Sequence, residues 1–487
     1  MSTVARHSLL NLAGILIPVA VSLVTVPLYL EVMGAARYGV LAIAWLFLGY
    51  FGVFDLGLGR ASAQAIAAEK DAKQVATIFG TAAAINIGVG ILGGLVMFVV
   101  AQQLFPQFIE QQPDLLDEVI RAAPLLALAL PIATLTGVLT GACQGRMLFR
   151  ELNIFNVLGA VLSQILPLVV AWHWAPSLDI VIAVTAATRL ATLMILYVVV
   201  KARALKGHRP SFDRRVLVRL FSFGGWVTLS AIVGPMMVIL DRFLIGLARG
   251  PSAVTHYTVP FQLAERSTVF PIAIAMAIFP RLTSADEDGA RAMTSDAIRT
   301  TIALMTTLMV VSILGVGLFM KLWIGKDLAN ESAPLARILL IGFWFNCAGV
   351  IFFHHLQARG RPRYVALCHL GELPPYLAAL YVGLQQSGVA GAAMVFSVRC
   401  GIDAVLLAHG AGELVRFLRT ASIPLLTLLA ALVLASAQGA LGIWFWLAAG
   451  ALVLATLLLS FFILPDTLRR NVFSIPASGW RSVARHR

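Results

Sequence analysis

The chain has 487 residues, 60% of them hydrophobic and 12% charged, with a formal net charge of +13 and a mean hydropathy of +0.90. A soluble domain carries about 25% charged residues, so this composition excludes an ordinary soluble enzyme or binding module and points to a polytopic membrane protein. The basic excess belongs to cytoplasmic loops and anionic headgroups rather than to nucleic acid, and the four cysteines (Cys143, Cys347, Cys368, Cys400) stand far apart, with no CxxC pair.

Runs long enough to cross roughly 30 Å of hydrocarbon predict an all-α bundle of about fourteen spans. The first, 8–32, is longer than a signal-peptide core and a second follows closely, so it reads as a retained helix. Spans 2 to 6 are 39–65, 78–101, 120–141, 152–173 and 178–200, which make an N-terminal six-helix lobe, 1–200. An acidic outer loop near 102–119 (Glu110, Asp114, Asp117, Glu118) separates spans 3 and 4. A basic cytoplasmic linker, 201–219, follows. Spans 7 to 12, at 221–247, 253–280, 297–321, 334–357, 364–384 and 389–413, make a second six-helix lobe, 220–413. Two additional spans, 420–437 and 441–464, occupy 414–464, and 465–487 is a basic cytoplasmic tail. With the N-terminus inside, and residues at the ends of a span counted with the adjoining segment, twenty-five Lys and Arg fall in cytoplasmic segments, six in outer segments and five well within spans. This positive-inside bias puts both termini in the cytoplasm.

The two lobes resemble each other. QGRMLFR (144–150) and QARGRPR (357–363) share Q-x-R-x-x-x-R after spans 4 and 10. Arg60 and Arg266 fall in spans 2 and 8, Arg189 and Arg399 in spans 6 and 12, at nearly the same separation. Halves with an even number of spans give parallel repeats, related by an axis along the membrane normal.

Five arginines lie within spans, Arg60, Arg189, Arg242, Arg266 and Arg399, with five acids, Asp55, Asp241, Glu265, Glu372 and Asp403. A charge at mid-bilayer costs roughly 2.5–3.5 kcal/mol on insertion scales, so such groups pair or line a watery cavity. Asp241–Arg242 and Glu265–Arg266 are sequence neighbours whose side chains diverge by about 100°, and Asp55 and Arg60 are badly spaced for a local pair. Arg399 and Asp403, at i,i+4, are spaced to pair. The others need partners on other helices, or a ligand. Gly57, Gly59, Ala61 and Ala63 give span 2 a small-residue surface for close helix approach. His354, His355 and the His369-x-x-Glu372 pair read as ordinary polar or interfacial groups, with no third ligand spaced for zinc. The chain has no P-loop and no GxSxG, so neither a metal nor an organic cofactor is expected.

RYGVLAIAWLFLGYFGVFDLGLGRASAQAIA (37–67), LDRFLIGLARGPSAVTHYTVPFQL (240–263), FP (279–280) and the Q-x-R loop with Asn153 behind it resemble polysaccharide and O-antigen flippases. These are the Wzx-type, polysaccharide transport family of the multidrug/oligosaccharidyl-lipid/polysaccharide (MOP) exporter superfamily. The resemblance covers roughly the first 410 residues. It implies a V-shaped, two-lobed bundle in the bacterial inner membrane that flips an undecaprenyl-pyrophosphate-linked oligosaccharide by alternating access, for O-antigen, capsule or exopolysaccharide synthesis. A polymerase and a chain-length regulator are its implied partners. Arginine offers planar, always-charged donors for a pyrophosphate. Arg60, Arg189, Arg266 and Arg399, with Arg242 beside them, are therefore the expected substrate-binding residues. Asp55, Asp241, Glu265 and Asp403 would orient them or carry a coupling proton or sodium ion. A drug/cation antiporter of the same superfamily is the nearest rival reading, and would want an acidic lumen instead. A membrane-embedded glycan polymerase or glycosyltransferase is the rival from another class, and would want a large outer loop bearing catalytic groups.

Overall fold

A computed structural model describes residues 3–50, 58–108 and 113–473, and every regular element among them is helical. In chain order these are α1 (Thr3–Tyr50), α2 (Leu58–Ala68), α3 (Ala72–Phe108), α4 (Pro113–Gly145), α5 (Phe149–His173) and α6 (Leu178–Val199). Then come α7 (Arg214–Arg249), α8 (Pro251–Glu265), α9 (Val269–Ser284), α10 (Glu287–Ile324), α11 (Lys326–Ala358) and α12 (Pro362–Gly410). The last four are α13 (Leu414–Ser436), the single turn α14 (Gln438–Leu441), α15 (Ile443–Ile463) and α16 (Asp466–Phe473). Among the described residues, eleven helical segments are long and apolar enough to cross a membrane. Backbone groups in lipid must be satisfied internally, which leaves helices as the solution for these apolar runs.

Helix breaks fall where the chain changes direction. α1 bends at Gly34 (φ 77°) and α12 at Gly388 (φ 58°), a backbone region that only glycine enters at no steric cost. The expected spans 364–384 and 389–413 are the two arms of α12, which approach closely enough for a Cβ at Gly383 to lie 3.1 Å from Gly391 O. A 3-10 turn, Arg266–Thr268, separates α8 from α9. The acidic outer loop expected over 102–119 is mostly helix: α3 runs on to Phe108 and α4 starts at Pro113. The interval shrinks to 109–112, outside the described residues, because both helices extend past the hydrocarbon-length run read from hydropathy.

The Q-x-R-x-x-x-R segments form the same turn twice. Leu148 N donates to Cys143 O and Met147 N to Gln144 O, while Arg361 N donates to Leu356 O and Gly360 N to Gln357 O. This is the Schellman pattern that caps a helix C-terminus, with Met147 (φ 58°) and Gly360 (φ 69°) at the left-handed position. In each turn the arginine also reaches the carbonyl just past another helix. Arg146 Nη1 donates to Glu69 O beyond α2, and Arg359 Nη1 to Ala285 O beyond α9.

The described contacts divide the chain into two compact units, 1–258 with 384–389, and 259–383 with 390–487. The boundary differs from the basic linker at 201–219, because α7 packs against α1, α2 and α3 and so joins the first unit. In unit 1, α4 lies against α2 through small residues: a Cβ at Gly141 would run into Gly59 O, and one at Gly145 would come within 2.6 Å of Ala63 O. This is the small-residue surface expected of span 2, and contact without side chains favours helix association in lipid. Arg37 grips Glu118 through Nε and Nη2, at 2.9 and 2.7 Å for the shortest contacts, and Glu118 also accepts from Leu178 N. One carboxylate thus ties α1, α4 and the start of α6. In unit 2, α13 and α15 pack on α10, and Arg299 Nε and Nη2 take the terminal carbonyls Ile463 O and Leu464 O of α15.

Candidate functional site

The intramembrane charges fall into three groups. In unit 1, Asp241 and Arg242 are fully buried and bond directly, Nη1 to Oδ1 at 2.8 Å. This corrects the sequence argument that adjacent side chains point apart. The long arginine folds back along its own helix, as helical side chains do, so that Nη1 also reaches Val238 O at 2.7 Å. Tyr257 closes the group from α8: its hydroxyl donates to Asp241 Oδ2 at 3.0 Å and its ring lies 5.5 Å from the guanidinium carbon. Arg242 is therefore the centre of a closed α7–α8 lock and presents no charge to an open cavity. Arg189, on α6, donates from Nη1 to Leu48 O, while its Nε is buried without a hydrogen bond. Asp55 lies outside the described residues. Arg60 belongs to α2, but its side chain is also outside them.

In unit 2 a polar cluster joins the two arms of α12. Arg399 Nε meets Glu372 Oε2 at 3.2 Å, and its guanidinium carbon lies 6.0 Å from the Tyr376 ring centre. His369 Nε2 approaches Asp403 Oδ1 at 3.3 Å, a close approach without hydrogen-bond alignment, since Asp403 Oδ1 has no hydrogen-bond partner. The expected i,i+4 pair of Arg399 with Asp403 is thus replaced by two cross-arm contacts. The antiparallel arms bring His369 and Glu372 opposite Arg399 and Asp403, and facing helices offer shorter routes than a neighbour one turn away. Glu372 and Asp403 are buried. Glu372 Oε1 and His369 Nδ1 are left without hydrogen bonds, an arrangement that costs free energy unless a proton, cation or water completes it. His369 and Glu372 are the pair that the sequence alone gave as ordinary polar or interfacial groups. The usable signal was their i,i+3 spacing on one helix face, facing a span that carries Arg399 and Asp403.

The third group is Arg266, in the 3-10 turn between α8 and α9. It is exposed and has no hydrogen bond or ion pair with any described residue. It stands on a cleft of about 440 Å³ walled by α8, α9, α10 and α11, with Leu263, Phe270, Met309, Phe319 and Leu340 among its lining. Among the described residues, Arg266 is the only charged one lining that cleft. Its neighbour Glu265 is half-buried and has a partner of its own. A 3-10 stretch within a spanning segment frees backbone groups and marks a functional irregularity. Here it presents a cation beside an apolar cavity. Such a site suits an anion attached to an apolar body.

The chain matches the family described as "Polysaccharide biosynthesis protein" over residues 32–330. It is 28% identical over 407 residues to a "Putative O-antigen transporter" of Shigella flexneri, covering 83% of this chain and 97% of that protein. Among solved structures, the lipid II flippase MurJ in an inward closed conformation matches with a TM-score of 0.70 at 12% identity, over 96% of this chain and 99% of its own. An inward-facing multidrug resistance transporter of the MATE family and MOP superfamily matches with a TM-score of 0.66 at 12% identity, over 84% of this chain and 98% of its own. At that identity the likeness is one of fold.

Proposed function

This chain belongs to the polysaccharide biosynthesis protein family and is a multi-pass membrane protein, and we propose that it is a transporter of the MOP superfamily that flips a lipid-linked oligosaccharide. The cargo would be a short glycan on undecaprenyl pyrophosphate, moved from the inner to the outer leaflet of a bacterial inner membrane by alternating access. The observation that carries this reading is Arg266, uncompensated among the described residues on an apolar cleft. A pyrophosphate needs such a donor, and the hydrocarbon carrier needs such walls. The transporter named for the Shigella flexneri relative supports the same cargo class.

Within this reading the protein crosses the membrane fourteen times with both termini in the cytoplasm. The eleven segments of sufficient length and hydropathy become fourteen when α1 and α12 each cross twice about their glycine breaks and α7 crosses once. The matching Schellman turns at 144–148 and 357–361 support parallel repeats. Arg60 and Arg266 are the substrate arginines. Arg189, Arg242 and Arg399, each engaged within its unit, position helices. The His369–Glu372–Arg399–Asp403 cluster takes the coupling proton or sodium ion, since its carboxylates are buried with acceptor atoms unmet. A polymerase and a chain-length regulator would receive the exported unit.

The test is the leaflet at which lipid-linked oligosaccharide accumulates in cells lacking the protein, and whether wild type or Arg266→Ala restores export. Accumulation on the inner leaflet, cured by wild type and not by a normally inserted Arg266→Ala, is expected. Accumulation on the outer leaflet would overturn the reading and make the protein act after translocation.

A further inference from the structure

A second cleft, of about 390 Å³, is polar and basic where the Arg266 cleft is apolar. It is built from the ends of spanning helices in unit 2. Arg291 comes from the first turns of α10, His355 and Arg359 from the end of α11, Arg361 and Tyr364 from the start of α12, and His409 from the end of α12. Among the described residues, Glu287 is the only carboxylate lining it. Three guanidinium groups therefore face one acid, with two imidazole rings beside them.

All of these side chains but His409 are held rather than free. Arg359 Nη1 donates to Ala285 O at 2.9 Å. Arg361 Nη1 donates to Gly410 O at 2.7 Å, and its guanidinium carbon lies 5.6 Å from the Tyr364 ring centre. Tyr364 is itself fixed through its hydroxyl to Leu406 O, with its ring pressed on Gly410 so closely that a Cβ there would clash. His355 is buried and its Nδ1 is engaged by Thr294 Oγ1 at 2.7 Å, which leaves Nε2 for the cleft. An arginine has five N–H donors in a planar fork, and Arg359 and Arg361 each commit one Nη1. Helix capping accounts for those two bonds. It does not account for Arg291, bonded to Glu287 Oε1 alone, or for His409, whose side chain has no partner among the described residues.

We propose that this cleft binds a phosphate group. Converging, pre-positioned guanidinium forks are the arrangement that recognises phosphate oxygens bidentately. Ends of spanning helices lie at headgroup depth, so a lipid headgroup is one source of that phosphate, and a soluble phosphate or pyrophosphate is the other. The site is distinct from the Arg266 cleft and does not depend on what Arg266 carries.

The test uses the full-length protein purified in a neutral detergent. Retention of phosphatidylglycerol against phosphatidylcholine is counted by native mass spectrometry, and inorganic pyrophosphate is titrated as a competitor. Arg359→Gln with Arg361→Gln removes two carbonyl caps and can unfold the turn, so the deciding variant is Arg291→Gln with His409→Gln, which touches no backbone bond. That variant is expected to weaken anion retention about tenfold, the loss of one charge-assisted contact, while Arg203→Gln in unit 1 leaves retention unchanged. Preferential phosphatidylglycerol binding assigns the phosphate to a lipid. Binding of pyrophosphate with no phosphatidylglycerol preference assigns it to a soluble anion. Wild-type retention of both probes by the folded Arg291→Gln, His409→Gln protein, or no binding of either probe by wild type, overturns the proposal.

Discussion

Asp241→Ala isolates the lock between α7 and α8. It strands the Arg242 guanidinium, which is 1% exposed, and removes the acceptor of the Tyr257 hydroxyl. Breaking a buried ion pair by deleting one partner costs about 3–5 kcal/mol. The complete burial of both groups and the additional tyrosine contact argue for the upper half of that range. Replacing all three members, as Asp241→Leu with Arg242→Met and Tyr257→Phe, removes the two desolvation penalties and the hydroxyl that Asp241 accepts from, and is expected to be close to neutral. Thermal unfolding of the detergent-purified protein, followed by tryptophan fluorescence, should rank wild type and the triple variant together and Asp241→Ala well below them. The lock would be the wrong account if Asp241→Ala and Arg242→Met unfolded like wild type while abolishing glycan export, for then the pair would serve transport and not helix packing.

Gly141→Ala drives a Cβ into Gly59 O and should cost about 1–3 kcal/mol of overpacking, seen as a lower unfolding temperature and a lower yield of inserted protein. Met147→Gly should raise stability by about 1 kcal/mol and Gly360→Ala should lower it by a similar amount, because both positions hold a left-handed backbone that a side chain disfavours. The same unfolding assay reads both signs, and a destabilising Met147→Gly would refute the argument. Arg299→Ala frees the last carbonyls of α15 and should cost about 1 kcal/mol. Faster protease cleavage between α13 and the tail is the readout. Glu372→Gln keeps an acceptor for Arg399 but removes the ionisable carboxyl from the α12 cluster. Export by this variant, assayed in vesicles, should lose its dependence on an imposed proton or sodium gradient, and an unchanged gradient dependence would remove the cluster from coupling.

Hydropathy made the helices legible because the requirement is local: a run of apolar residues in lipid must satisfy its own backbone. The twin capping turns were legible for the same reason. A helix C-terminus is settled by five or six consecutive residues, and Q-x-R-x-x-x-R carries them both times. The small face of span 2 could also be read, since Gly59 and Ala63 give it no bulk whichever helix arrives. Partners of charged residues were not legible. Asp241 reached Arg242 only because the arginine folds back over its own helix under Tyr257. Arg399 passed over Asp403, one turn away on its own helix, for Glu372, because the bend at Gly388 lays the two arms of α12 side by side. The basic cleft draws its residues from the ends of three helices, brought to one place by packing alone. Sequence spacing fixes a residue's face on its own helix. Which other helix meets that face, and at what depth, is set by the packing of the whole unit, and tertiary structure alone decides it.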